Sequence, residues 1–179
     1  MTYKNSPRIF VTGYMGANTR DLAEKIAGEM NYELIDLDAE IEKIDGRTIQ
    51  RICMLMGEHE YRNKEYEMLQ SLKNREGIVV LCGDGIIFDD QNREVLEANT
   101  VVLADEDTDI DVLWERAKDL KGLPYAFMNF GGDERKAQFI EMFVTVPTPY
   151  DIAFPVNFDK AVVNQFFIGD TFVYYVMMA

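Results

Sequence analysis

The residues whose types and spacing suit chemistry gather at a few places along the chain. The first is Gly13-Tyr14-Met15-Gly16-Ala17-Asn18-Thr19-Arg20. A short β-branched and aromatic run, Ile9 to Thr12, ends at Gly13, and a helical pattern through Leu22, Ile26 and Met30 starts a few residues later. Strand, tight turn and helix form the setting in which G-x-x-x-x-G-K-[ST] wraps phosphates with backbone N–H groups. The setting matches and the residues do not: Asn18 takes the second motif glycine, Thr19 the phosphate-binding lysine and Arg20 the metal-holding Ser/Thr. Asn tolerates left-handed backbone better than most residues, so the first change is compatible with a wound loop. The other two remove the charge that neutralises phosphates and the hydroxyl that holds a metal. Taken alone, the junction is equally well a tight turn. The other places are the acid pair Asp36 and Asp38, the lone Arg62, and Gly83-Asp84-Gly85 after an apolar run. Two acids after a strand also serve to cap the next helix, and Arg62 also fits as an i,i+3 partner of Glu65 on a solvated helix.

The elements that must position these residues alternate. Glu33 to Leu37 reads as a strand, followed by charged helical sequence with Ile41, Ile44, Ile49, Ile52 and Leu55 that Gly46 interrupts. A long helix through Tyr61, Met68, Leu69 and Leu72 leads to Ile78–Cys82, a continuous apolar run suited to a strand buried on both faces. Val101 to Ala104 predicts a strand and Ile110 to Leu120 a helix. Gly122 to Gly132, with Pro124, Asn129 and paired glycines, reads as a mobile surface loop, lid-like over 122–133, before a helix at Glu134 to Val144. Val156 to Phe158 predicts a last strand and Lys160 to Met178 a final helix. Strands alternating with helices imply an α/β fold, a doubly wound, mainly parallel sheet with helices on both faces, in one domain over residues 1–179.

Composition excludes several classes of function. The chain has 179 residues, is 47% hydrophobic and 28% charged, and so has enough apolar sequence for a sizeable core. Lys+Arg 18 against Asp+Glu 32 gives a net charge of −14, which repels phosphodiester backbones and anionic lipid; neither nucleic acid nor membrane is expected as a partner. Cys53 and Cys82 lie far apart without metal-ligand spacing, and the single histidine, His59, argues against a histidine-based triad or zinc site. Neither a cleavable leader nor a membrane-length apolar run is evident, and a reducing cytoplasm is the expected location.

The order of motifs resembles the shikimate kinase family, small P-loop kinases that phosphorylate shikimate with ATP and magnesium. The resemblance runs from Ile9 to about Asp159. It is densest at Asp36-Leu-Asp38-Ala-Glu-Ile-Glu, Gly46-Arg-Thr-Ile and Gly57-Glu-His-Glu-Tyr-Arg62, which follow the family's D-x-D-x-x-I-E, G-x-[ST]-I and G-E-x-x-[FY]-R in order. The resemblance implies that Asp38 holds and orients substrate hydroxyls, that Asp36 organises magnesium through water, and that Arg62 grips the shikimate carboxylate. The family's Gly-Gly-Gly becomes Gly83-Asp84-Gly85, which puts a carboxylate where an anionic substrate approaches. Arg116 resembles the adenine-stacking arginine. Leu123, before Pro124, stands in place of the lid arginine, and Val146 in place of a second substrate arginine.

These departures imply a degenerate member of the family, inactive or severely impaired as a kinase, that acts by binding a small molecule or a protein. No cofactor is then expected to bind tightly. The alternative is a working shikimate kinase or related small-molecule kinase using magnesium and ATP, with Arg20 reaching the phosphates. A third reading is a structural module docking a partner on Phe127, Phe130, Phe166, Phe167, Tyr174 and Tyr175. Two geometric expectations follow: Arg20 points toward Asp36 or Asp38, and the Asp84 carboxylate pairs with Arg62 and closes the substrate side.

Overall fold

In the computed structural model the described residues are 6–104, 109–129, 132, 134–145, 161–168 and 171–178. The strand-and-helix alternation is realised as β1 (Arg8–Gly13), α1 (Thr19–Met30), β2 (Glu33–Asp36), α2 (Leu37–Asp45), α3 (Ile49–Met56), α4 (Glu58–Leu72), β3 (Ile78–Leu81), α5 (Asp90–Glu97), β4 (Thr100–Ala104) and α6 (Ile110–Ala117). After these come α7 (Ala126–Asn129), α8 (Arg135–Thr145) and the strands β5 (Ala161–Ile168) and β6 (Thr171–Met178). The first four strands form one parallel sheet in the order β2-β3-β1-β4. Its register sets Phe10 beside Val80 and Val101, and Asp36 beside Leu81. The carboxyl ends of β1, β2 and β3, where open α/β sheets bind ligands, therefore bring Gly13, Asp36 and Gly83 to one edge.

Strand periodicity divides the core in two. Ile9, Val11, Val79, Leu81 and Val102 face α1 and pack with Leu22, Ala23 and Ile26. The alternate residues Phe10, Ile78, Val80 and Val101 pack with Leu37, Ile41, Ile52, Tyr61 and Leu69 of the helices on the other face. Both faces are covered, so β3 is buried at all its positions and its sequence shows a continuous apolar run rather than alternation. Gly46, at φ 81°, ends α2 in the left-handed conformation that glycine adopts most readily.

A third cluster carries the region expected to be a mobile loop. Leu123, Tyr125 and Met128 are buried with Met15, Leu113, Trp114 and Phe139, and Trp114 meets Phe139 edge to face at 5.3 Å between centroids. The described part of the lid-like segment is thus docked and contains the short helix α7, because its large apolar side chains have a surface to cover. Residues 86–99, where no element is expected from the sequence pattern, contain a single 3-10 turn, Ile86–Phe88, and α5. Asp89 caps α5 by accepting from the amides of Gln91 and Asn92 at 3.0 and 3.1 Å.

The expected final helix over Lys160–Met178 is incorrect. Residues Ala161–Ile168 and Thr171–Met178 pair as antiparallel strands, Ile168 opposite Thr171 and Ala161 opposite Met178. Val162, Val163, Phe166, Phe167, Phe172, Val173, Tyr174 and Val176 are residue types that fit a pleated surface, and Gly169-Asp170 between the runs suits a hairpin connection. The aromatics read at helical spacing therefore lie on strands, with Gln165 opposite Tyr174 and Phe167 opposite Phe172. The strand expected at Val156–Phe158, Val146 and Phe130 lie outside the described residues. Among the described residues no helix is long and apolar enough to cross a membrane.

Candidate functional site

The loop between β1 and α1 makes a tight turn. The Ala17 amide bonds the Tyr14 carbonyl at 2.9 Å, and Gly16 has φ 87°, with its backbone against the Leu113 carbonyl of α6. Asn18 occupies the N-cap of α1 without a side-chain cap bond, and Thr19 opens the helix. Arg20 reaches back across the sheet edge, where its Nη2 pairs with Asp36 Oδ2. It also lies 4.0 Å from Glu24 one turn along α1. Asp36 does two things: Oδ1 caps α2 by accepting from the Ala39 amide at 3.1 Å, and Oδ2 takes Arg20. The expectation that Arg20 turns toward the acid pair therefore holds for Asp36.

Asp38, two residues on, is half-buried in the first turn of α2. Its Oδ1 accepts from the Tyr61 hydroxyl at 2.7 Å. Burial pushes its carboxyl up to about 6; the Tyr61 hydrogen bond opposes this, the Asp36 charge adds to it, and the Arg62 charge pulls it back. Gly83 makes this approach possible. A Cβ there would lie 2.1 Å from the Tyr61 hydroxyl, 2.7 Å from Asp38 Oδ1 and 2.9 Å from Glu65 Oε1, so three oxygens converge where only hydrogen fits.

Arg62 is buried, 4% exposed, and its partners come from its own chain. Nη1 donates to Glu65 Oε2 at 2.8 Å; Nε and Nη2 donate to Glu58 Oε1 at 3.3 and 2.9 Å. Nη2 also meets the Asp84 backbone carbonyl at 3.0 Å and the Tyr125 hydroxyl at 3.1 Å. The guanidinium carbon lies 4.7 Å from the centroid of the Tyr61 ring. Burial is the largest single influence on Arg62 and works against its charge, and the adjoining Glu65 carboxylate together with the Tyr125 and Tyr61 hydroxyls outweighs it. Glu65 is fully buried; its Oε2 also accepts from Asn92 Nδ2 at 3.2 Å, while Oε1 has no hydrogen-bond partner among the described residues. Burial raises Glu65 to about 7 against the pull of Arg62.

Two expectations are corrected here. The pair Arg62–Glu65 exists, but inside the protein rather than on a solvated face. Asp84 does not supply the carboxylate that neutralises Arg62: only its backbone carbonyl reaches the guanidinium, and Glu58 and Glu65 hold the charge. They sit four and three residues away on the same helix, within easy reach of Arg62, whereas Asp84 comes from the loop after β3. The half-buried Asp84 carboxyl is pushed up to about 6 by desolvation and by Asp38, with Arg62 opposing.

Arg116 projects from the exposed side of α6, and Leu123 is buried in the cluster around Trp114. Gly85 has φ 75°, and its missing side chain leaves room for the Tyr125 hydroxyl. Sequence reasoning gave no role to Glu58, Tyr61, Asn92 or Tyr125. Tyr61 and Glu58 lie inside the motif around Arg62 and were visible there; nothing local marked Asn92 or Tyr125, which reach Glu65 and Arg62 from 27 and 63 residues away.

Comparison with known proteins gives the family of the chain. The profile described as shikimate kinase matches residues 15–137. A bifunctional shikimate kinase/3-dehydroquinate synthase of Thermotoga maritima is 39% identical over 90 residues, 50% of this chain and 18% of that protein. A shikimate kinase of Pelotomaculum thermopropionicum is 32% identical over 116 residues, 65% of this chain and 67% of that protein. The chain thus spans under a fifth of the first relative and about two thirds of the second. Among solved structures, a shikimate kinase from Acinetobacter baumannii in complex with shikimate superposes with a TM-score of 0.69 at 26% identity, covering 80% of this chain and 77% of that one. With the shikimate kinase profile matching residues 15–137, more than half of its length, the chain belongs to the shikimate kinase family.

Proposed function

We propose that this protein is severely impaired in phosphoryl transfer from Mg·ATP and acts by binding a small molecule or a protein partner. The observation that carries the reading is the Arg20–Asp36 ion pair. A guanidinium occupies the place where the family pattern has a metal-holding hydroxyl, and it takes the acid expected to organise the metal. Thr19 brings no charge to the phosphates, and Leu123, in the lid-arginine position, is buried against Trp114 and Phe139. The residues present therefore do not fit a magnesium–nucleotide complex. Phosphoryl transfer relies on positioning and charge stabilisation, and an arginine finger alone supplies about 10³–10⁵ in rate. Losing lysine, metal ligand and lid arginine together leaves little to lower the barrier.

The test is coupled turnover of ATP with shikimate by the purified protein. The expected result is no turnover above background, and turnover at about 1 s⁻¹ or faster, within the range of typical enzymes, overturns the reading. One observation favours the second reading, a working small-molecule kinase: Asp38, raised to about 6 and held by Tyr61, is suited to accept a proton from a substrate hydroxyl. In that case Asp38→Asn abolishes the turnover the same assay records.

A further inference from the structure

We infer that Tyr125 is a specificity-determining residue that makes the Arg62 site reject ligands bearing a carboxylate. The inference rests on the binding role proposed above and takes the bound small molecule to lie beside Arg62. Nη2 of Arg62 has two protons and three acceptors: Glu58 Oε1 at 2.9 Å, the Asp84 carbonyl at 3.0 Å and the Tyr125 hydroxyl at 3.1 Å. The phenol completes the arrangement by donating to the same Asp84 carbonyl at 3.0 Å. It is 6% exposed, and its hydroxyl fills the space at Gly85, where a Cβ would lie 2.0 Å from the phenol oxygen. Phe127, 5.9 Å away between ring centroids, and the cluster around Trp114 hold the ring in place.

A guest carboxylate gripping Arg62 through two parallel N–H bonds needs Nη2 as one of its donors or must use the remaining Nη1 proton alone. To take Nη2 it must displace the Tyr125 hydroxyl and compete with Glu58. The displaced phenol would leave the Asp84 carbonyl without its second donor. The guest would also enter beside Asp38, Glu65 and Asp84, whose carboxyls repel another anion in a partly desolvated site. A neutral hydroxylated ring meets none of that repulsion, and carboxyl oxygens accept its hydroxyl protons. Rejection by unpaired groups and like charge is a common source of discrimination between otherwise similar ligands. Leucine at position 125 removes the hydroxyl and the far edge of the ring while keeping an apolar side chain for the cluster.

The experiment is calorimetric titration, without nucleotide, of shikimate and of its neutral methyl ester into the natural protein, Tyr125→Phe and Tyr125→Leu, with thermal melting as the check on folding. The natural protein is expected to bind the ester at least tenfold more tightly than shikimate. Tyr125→Leu is expected to tighten shikimate at least tenfold with less than threefold change for the ester, and Tyr125→Phe to give a smaller gain. Equal affinity of the natural protein for the two ligands overturns the inference. So does an unchanged ratio in a folded Tyr125→Leu variant, or an absence of binding by either ligand to every folded variant. ATP turnover does not enter this measurement, so failure of the impaired-kinase reading and failure of this one are read separately.

Discussion

Arg20 sits 58% exposed while its partner Asp36 is 25% exposed, and that difference governs what the pair does. An ion pair so open to water contributes little to stability, and Arg20→Ala should cost at most about 1 kcal/mol in chemical denaturation. Its effect is on ligands: a cation fixed on Asp36 excludes another cation. Mg·ATP should therefore bind more weakly than millimolar by calorimetry. Replacing Asn18→Gly, Thr19→Lys and Arg20→Ser together should tighten it at least tenfold, because the loop backbone is already wound around Gly16 at φ 87°. No gain in the triple variant would mean that the loop is wound differently with nucleotide present. That Asn18, Thr19 and Arg20 depart from G-K-[ST] was legible residue by residue. The destination of Arg20 was expected from its place at the family's metal-holding position together with the cost of two nearby carboxylates without a cation.

At the scale of elements, α4 and the loop after β3 depend on each other. The helix brings Tyr61 and Glu65 up to Gly83, and any side chain there collides with both. Gly83→Ala should destabilise the protein by about 1–3 kcal/mol, the usual range for forcing extra volume into a packed site, and should break the Asp38–Tyr61 bond, read as a shift of the Asp38 carboxyl by NMR titration. The N-cap at Asp89 fixes where α5 begins and so where Asn92 meets Glu65. Asp89→Ala should cost about 1 kcal/mol in the same denaturation assay. That helix went unread because its apolar residues, Val95 and Leu96, are too few to show a helical period.

Across the whole molecule, acids withdrawn from water contribute to the response to pH. Asp38 and Asp84 are raised to about 6 and Glu65 to about 7, each chiefly by desolvation. In the unfolded chain these groups ionise near pH 4, so above that pH the unfolded state holds fewer protons than the folded one. Their contribution is fully favourable below about pH 4 and is lost as pH rises to about 7. A net charge of −14 acts in the same direction through self-repulsion. Asp84 can be altered without removing an ion-pair partner from Arg62. Asp84→Asn should raise unfolding free energy at pH 8 by about 1–3 kcal/mol after allowance for screening, and change it little at pH 4. An equal effect at both pH values would show that packing, not ionisation, is responsible.

The sequence by itself determined the parallel sheet and its helices, because periodicity is a local property: Leu22, Ile26 and Met30 lie on one helix face whatever the rest of the chain does, and Ile78–Leu81 is apolar throughout because both faces are covered. It also held the signal for the antiparallel pair β5 and β6, whose β-branched and aromatic runs outweigh a helical spacing of the same aromatics. The i,i+3 pair of Arg62 with Glu65 was legible in the sequence, but tertiary structure decided its surroundings. Its burial, the exclusion of the Asp84 carboxylate and the tyrosine on its remaining edge, 63 residues further along the chain, were not legible. Protonation and partner choice depend on which groups are excluded from water together, and that is set by contacts between distant segments, which no local pattern encodes.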